Sequence, residues 1–446
     1  MRIIIAGIGD VGFQLAKKLS TENHDIIVID NDQNRLNYTG SMSDVLSICG
    51  SSTSIKILES AKVNSADLVL AVTSNQEVNL TTSILAKKLG AKTCVARVST
   101  GEFVSANCSV NFSELGIDYL LYPEELAAFE TVKLIKRTAA SDVIEFEDGK
   151  LAFIGIKIDK TAPVAYKTLK EIATEYSTID FRIVAIYRGI RTVIPSGNDK
   201  ILPNDQVFII TKPEGNKDIL RLSGKSDLKF ENLMILGGSK IGRLTAKLLE
   251  DELNIKLIES DKEKSFELAE YLNSTLVIHG DGRDLDLLAQ EGIIDMDVFV
   301  AVTDDSETNI ITCLMAKHLG VKKTIALVDK VDYIPLTQTI GLDALINKKL
   351  IAINSIYRFV RRGKPVSFET LHGIDADVFE FIVAPNSKAT KQKVKDLHFP
   401  KNAIIGGIIR DKESFIALGD TQIKAKDRVV VFTLPGASAH IEQFFI

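Results

Sequence analysis

The chain has 446 residues, 45% hydrophobic and 25% charged, with a formal net charge of −5. That is too long for one ordinary core and suggests about three domains of ordinary soluble composition. The mild acidity, with no long block of one sign, argues against nucleic acid as the main partner, because phosphate-binding surfaces need a clustered basic excess.

Met1 leads directly into the apolar run RIIIAG, without the n-region and h-region of a signal peptide. No apolar stretch approaches the roughly 18 residues of a membrane helix, so a cytoplasmic protein is expected. Short apolar runs at 2–6, 26–29, 45–48, 68–72 and 94–98 read as strands. Helical patterns at 11–20, 32–39, 53–60 and 76–89 separate them, the βαβ alternation of a parallel sheet. A longer helix over about 123–137 closes this unit. A strand-rich smaller domain follows, with one helical stretch in VAYKTLKEIATEY, and then the polar segment SGKSDLKF. The pattern then recurs, with strands near 232–236, 255–258, 275–278, 298–302 and 324–328, a closing helix at about 348–361 and a second small domain. The expected limits are 1–138 and 231–361 for the large domains, 139–221 and 362–446 for the small ones, and 222–230 for a linker.

The recurrence is a duplication. GIGDVG begins at Gly7 and GGSKIG at Gly237, and AVTSNQEVN at Ala71 and AVTDDSETN at Ala301 keep the same offset. LGAK at Leu89 and LGVK at Leu319 keep it too. LGIDYL at Leu115 matches IGLDAL at Ile340, and IPSGNDKILPNDQVFIIT at Ile194 matches IALGDTQIKAKDRVVVFT at Ile416, each at a slightly shorter offset. The smaller domain is therefore duplicated along with the larger.

Gly7, Gly9 and Gly12 follow a strand and open a helix. The first permits a tight turn, the second lets backbone approach a pyrophosphate, and the third lets helix pack on strand. Amides of Ile8, Asp10 and Val11 and the helix dipole would hold the phosphate charge. Asp30 ends the second strand, at the place beyond Gly12 where a carboxylate accepts from an adenosine ribose and repels a 2′-phosphate. NAD(H) is therefore expected over NADP(H). In the second copy Gly237, Ser239 and Gly242 hold the three positions, so a hydroxymethyl stands where backbone should come closest. Gly238 beside it would relieve the crowding, Lys240 and Ile241 complete the turn, and Glu259 replaces Asp30.

Thr73 and Ser74 follow the fourth strand, at the edge where ligands of open parallel sheets collect, and Ser74 or Asn75 can equally cap the next helix. Arg97 can reach phosphate or make a surface ion pair; the residues alone favour the surface pair. Asp281 and Arg283 in HGDGRD read as turn formers. The four cysteines lack metal-ligand spacing and read as small buried hydrophobes. No acid/base constellation recurs across the copies, so no enzyme is expected. LIAINSIYRFV (Leu350–Val360), and more mildly Leu126, Phe129, Val132 and Ile135, are apolar over more than one stripe; sharing with a partner chain is the favoured reading.

GIGDVG with Asp30, AVTSNQEVN, Arg97 and PSGND…LPNDQVFII, all in tandem, resemble the TrkA family, the cytosolic regulatory subunits of bacterial and archaeal Trk-type potassium uptake. The resemblance runs over essentially the whole chain. It implies an α/β fold of two Rossmann-like RCK N-terminal domains, each followed by a small α+β RCK C-terminal domain. It also implies binding of NAD(H), and of ATP or ADP, at the N-terminal domains. A homo-oligomeric ring, tetramer or dimer, would sit at the inner face of the membrane beneath a Trk-type potassium channel subunit. The residues it assigns to the cofactor are Gly7 to Gly12, Asp30, Thr73, Ser74 and Arg97, which reverses the reading of Arg97, and in the second half Gly237 to Gly242 with Glu259. An NAD-dependent oxidoreductase and a sensor of potassium efflux are the alternatives.

Overall fold

Ile3, Ile4, Ile5 and Ala6 are all buried, so strand β1 (Arg2–Ala6) has no solvent side, as a central strand of a parallel sheet covered on both faces requires. The computed structural model describes residues 1–20, 24–105, 107–136, 142–147, 149–189, 191–224, 230–330, 333, 340–360, 365–370, 376–411, 413–434 and 438–445. The first repeat continues with α1 (Asp10–Ser20), β2 (Asp25–Asp30), α2 (Gln33–Met42), β3 (Leu46–Cys49), α3 (Ile55–Ser60), β4 (Leu68–Ala71), α4 (Gln76–Lys88) and β5 (Thr93–Arg97). It ends with β6 (Tyr119–Leu121) and α5 (Pro123–Lys136). The strands lie in the order β3-β2-β1-β4-β5-β6, all parallel. The order reverses between β1 and β4, which opens a crevice at their carboxyl ends.

The smaller domain is antiparallel: β7 (Asp142–Phe146), β8 (Leu151–Lys157), α6 (Leu169–Glu175), β9 (Phe181–Arg188), β10 (Arg191–Val193), β11 (Gln206–Thr211) and α7 (Asn216–Leu222). Thr168 and Glu171 form a reciprocal capping box that starts α6. Helix α7 runs through the buried Leu222, and Ser223 is buried too, so packed structure continues into the first residues of the expected linker. Residues 225–229 of that segment lie outside the described residues.

The second large repeat comprises β12 (Asn232–Leu236), α8 (Lys240–Leu249), β13 (Asn254–Glu259), α9 (Lys262–Tyr271), β14 (Thr275–His279), α10 (Leu285–Gln290), β15 (Val298–Ala301), α11 (Ser306–His318), β16 (Lys323–Leu327), β17 (Ala344–Ile346) and α12 (Lys348–Val360). Its sheet order, β14-β13-β12-β15-β16-β17, repeats the first. The sixth strands, β6 and β17, are additions to the five expected from sequence; both are too short to show a period. The second small domain holds β18 (Pro365–Thr370), β19 (Asp377–Ile382), α13 (Lys388–Lys391), β20 (Ala403–Arg410), β21 (Glu413–Ile416), β22 (Arg428–Thr433) and α14 (Ser438–Phe445).

The chain divides into two compact units, one built mainly of the two large repeats and one mainly of the two small domains. In the first unit, α12 packs on α1 of the other repeat, with Ala352, Ile353, Ile356 and Val360 buried. The Tyr119 hydroxyl of the first repeat lies 3.5 Å from that of Ser355. At these positions the helix is covered by the first repeat of the same chain, while on the counterpart helix α5 Phe129 remains exposed. In the second unit the two small sheets share one core. Phe153 stacks on Phe208 at 5.7 Å and on Phe432 at 6.1 Å.

The cysteine expectation holds for Cys94 and Cys313, which are buried, and fails for the exposed Cys49 and the half-buried Cys108. Cys49 ends β3, a thinly covered edge strand on which Leu46 and Ser47 are exposed too. Among the described residues no helix is long and apolar enough to cross a membrane.

Candidate functional site

Gly7 turns at φ +99°, a left-handed conformation that favours glycine, and a Cβ there would meet Thr73 at 2.8 Å. The glycine turn and the loop after β4 therefore touch across the top of the sheet. A Cβ on Gly12 would come 1.9 Å from the Gly7 carbonyl oxygen, so only glycine lets α1 start this close to β1. Gly9 differs from both, since a Cβ there would meet nothing within 4 Å. Its backbone faces open space, as a turn that receives a diphosphate must.

Asp30 serves the turn as well as the crevice. One carboxylate oxygen accepts from the Ile8 amide at 2.6 Å and the other from the Asp32 amide at 2.9 Å, which ties the end of β2 to the glycine turn. The side chains of Ile8 and Val11 are buried, so these residues offer only backbone to the crevice. Asp10 stands exposed at the first position of α1 and pairs at 2.6 Å with Lys349, from α12 of the second repeat.

Around β4 and β5 the sequence reading missed the organising residue. Asn79, fully buried, accepts from the Thr73 amide (2.9 Å) and hydroxyl (2.7 Å) and donates to the carbonyls of Thr73 (3.0 Å) and Arg97 (2.9 Å). It clamps the ends of neighbouring strands, so the Thr73 hydroxyl is engaged within the protein. Asn309 repeats the clamp on Thr303 and Leu327. The signal was present: the two asparagines stand at equivalent positions of AVTSNQEVN and AVTDDSETN. Asn75 caps α4 by accepting from the Val78 amide, which leaves Ser74 exposed at the crevice. Among the described residues no hydrogen bond or ion pair engages the guanidinium of the half-buried Arg97; the surface pair is not formed.

The second crevice has another chemistry. Gly237 and Gly242 repeat the tight turn, with φ +99° at the first and a Cβ on the second 2.1 Å from the Gly237 oxygen. Ser239 is the N-cap of α8 and its hydroxyl accepts from the Gly242 amide at 3.3 Å, taking up one of the helix-start donors. Gly238 admits no side chain, since a Cβ there would strike Leu268 at 2.2 Å and Glu259 at 2.9 Å, and its backbone lines the crevice. Glu259 accepts from the amides of Gly238 and Asp261, both at 2.9 Å, and pairs with Lys264 at 2.9 Å. Burial opposes its ionisation, but these bonds outweigh burial and hold the carboxyl below the ordinary range.

Leu327 takes the place of Arg97. Cations from other positions, Lys240, Arg243, Lys264 and Lys348, line a cavity of about 440 Å³ together with the acids Glu124, Glu267 and Asp304. Arg243 stacks on Tyr271 at 4.9 Å. Three of these cations went unremarked in the sequence: Arg243 stands just past the last glycine of the pattern, and Lys264 and Lys348 lie on other helices. Asp281 and Arg283 pair with each other at 2.7 Å within their turn.

A family model described as the TrkA-N domain matches residues 3–123 and 233–348, and one described as the TrkA-C domain matches 153–224 and 378–446. The Trk system potassium uptake protein TrkA homolog of Archaeoglobus fulgidus is 34% identical, over 100% of both chains. TrkA homolog 1 of Methanosarcina mazei is 32% identical, again over 100% of both. Among solved structures, the GsuK channel bound to NAD superposes with a TM-score of 0.59 at 17% identity, covering 100% of this chain and 78% of that one. At that identity the likeness is one of fold.

Proposed function

Because this chain belongs to the TrkA family of Trk-system potassium uptake proteins, we propose that it is the regulatory subunit of such a system and that nucleotide binding at its large repeats sets the activity of a membrane-embedded potassium channel subunit. The observation that carries this reading is the first glycine turn. It has tight geometry at Gly7 and Gly12, open space at Gly9 and Asp30 fixed beside it. At the neighbouring strand end the guanidinium of Arg97 has no partner among the described residues. The turn suits a dinucleotide such as NAD(H), with the diphosphate on the amides of Gly7 to Gly12 and the ribose at Asp30. GsuK, whose fold this chain shares, has been solved with NAD bound. The second crevice has a carboxylate already bonded on both oxygens, and its lining holds four cations against three acids, which suits a nucleotide such as ATP or ADP on Gly237 to Gly242.

In this reading the protein carries out no chemistry on its ligand. It assembles as a ring of copies at the inner face of the membrane. A nucleotide that binds one ring conformation better than another shifts the population toward it. A coupling of about 1–3 kcal/mol changes the partner's activity roughly 5–150-fold. Potassium flux through vesicles holding the channel subunit and this chain, with and without NADH, ATP or ADP, is the test. We expect a change of at least about fivefold with one nucleotide; flux indifferent to all three contradicts the proposal.

A further inference from the structure

The pair formed by Asp10 and Lys349 joins the two repeats at the point where a ligand would dock. Asp10 is the fourth residue of GIGDVG and opens α1; Lys349 is the second residue of α12, which follows the last strand of the other repeat. Their atoms are 2.6 Å apart, and the two side chains are unequally held: Asp10 is 72% exposed and Lys349 only 27%. The lysine is fixed over the turn by the packing of its helix, while the carboxylate is the freer partner.

The same two positions carry opposite signs in the second crevice. Lys240 is the fourth residue of GGSKIG, where the first copy has Asp10. Glu124 stands where Lys349 does, in the register set by LGIDYL and IGLDAL. Both line the second cavity. Each closing helix thus reaches over the other repeat's glycine turn, and the residue it brings there is a cation at the first turn and an acid at the second.

A carboxylate at the start of α1 repels a diphosphate arriving at the adjacent amides, and the ammonium of Lys349 attracts it. We propose that Lys349 is a phosphate ligand of the first site supplied in trans by the second repeat: diphosphate binding draws the ammonium from Asp10 onto a phosphate oxygen. The inference rests on the nucleotide reading above. It makes the first site a composite of both repeats, so that occupancy is felt directly by α12.

The test is calorimetric titration of the full chain with NADH, the ligand read for the first crevice, at several salt concentrations. The proteins are wild type, Lys349→Gln, Lys349→Arg, Asp10→Asn and, as a marker for the glycine turn, Gly9→Ala. Loss of one charge-assisted hydrogen bond should weaken NADH on the order of tenfold in Lys349→Gln. The salt dependence should also flatten, because one attractive charge is gone. Lys349→Arg should retain most of the affinity, and Asp10→Asn should bind NADH more tightly.

If wild type binds NADH, Gly9→Ala does not, and Lys349→Gln binds like wild type, the role of Lys349 is refuted while the glycine-turn reading stands. Equal weakening in Lys349→Gln and Asp10→Asn, with the salt dependence unchanged, would make the pair purely structural and also refute it. A wild type that binds no NADH removes both.

Discussion

At the scale of single residues, the three glycines of the first turn do different things although the motif writes them alike. Gly7 and Gly12 are required by the fold, since a methyl group on either collides with Thr73 or with the Gly7 carbonyl. Gly9 is required by nothing in the protein, which marks it for something outside the protein. Ser239 shows the limit of motif reading. The sequence suggested steric crowding; the structure instead gives its hydroxyl a capping bond, a role decided by backbone torsions that residue identity leaves open. The thiols divide by burial in the same local way. Burial pushes the Cys94 thiol up to about 12, so its folded pKa lies above its unfolded one. Its contribution to stability is therefore present below the ordinary thiol range and lost as pH rises through that range toward 12. A thiol reagent in mildly alkaline buffer should label the exposed Cys49 within minutes and leave Cys94 and Cys313 unlabelled until the protein unfolds. Mass spectrometry of the labelled peptides checks this, and rapid labelling of Cys94 in the folded protein would count against it.

At the scale of elements, the βαβ alternation was legible because strands buried on both faces have to be continuously apolar, and β1, β4, β12 and β15 are. The clamp at Asn79 was harder to see: a buried polar side chain bonding two strand ends looks, in sequence, like any polar residue on a helix. Asn79→Ala would leave the amide of Thr73 and the carbonyls of Thr73 and Arg97 without their partner. A loss of about 2–4 kcal/mol in unfolding free energy is expected. Denaturant melts of this variant and of Asn309→Ala should show similar losses; a change below about 0.5 kcal/mol, typical of a surface substitution, would mean the clamp is dispensable.

At the scale of the whole molecule, the duplication announced two copies of one architecture but not how they meet. The apolar surplus of Leu350–Val360 was visible, and its cover was not, because the α1 surface that buries it belongs to the other repeat, far away in sequence. Nothing local to either segment encodes the choice between another chain and a distant part of the same one. The shared core of Phe153, Phe208 and Phe432 in the small domains was hidden for the same reason. What the duplication did permit was divergence. Arg97 became Leu327 and Asp10 became Lys240, so the two crevices present different charges on the same backbone. Two sites of unlike preference in one chain let a regulator compare two nucleotides, provided the first crevice takes a diphosphate at all.

That provision is settled most directly by titrating wild type, Gly9→Ala and Gly12→Ala with NADH while recording the thermal midpoint of each free protein. Gly9→Ala should keep the wild-type midpoint, since its methyl meets only open space, yet bind NADH at least about tenfold more weakly, because the second glycine is where backbone approaches the pyrophosphate. Gly12→Ala should lose about 1–3 kcal/mol of stability from the forced contact with Gly7. NADH bound equally well by wild type and Gly9→Ala, or by neither, would contradict the account.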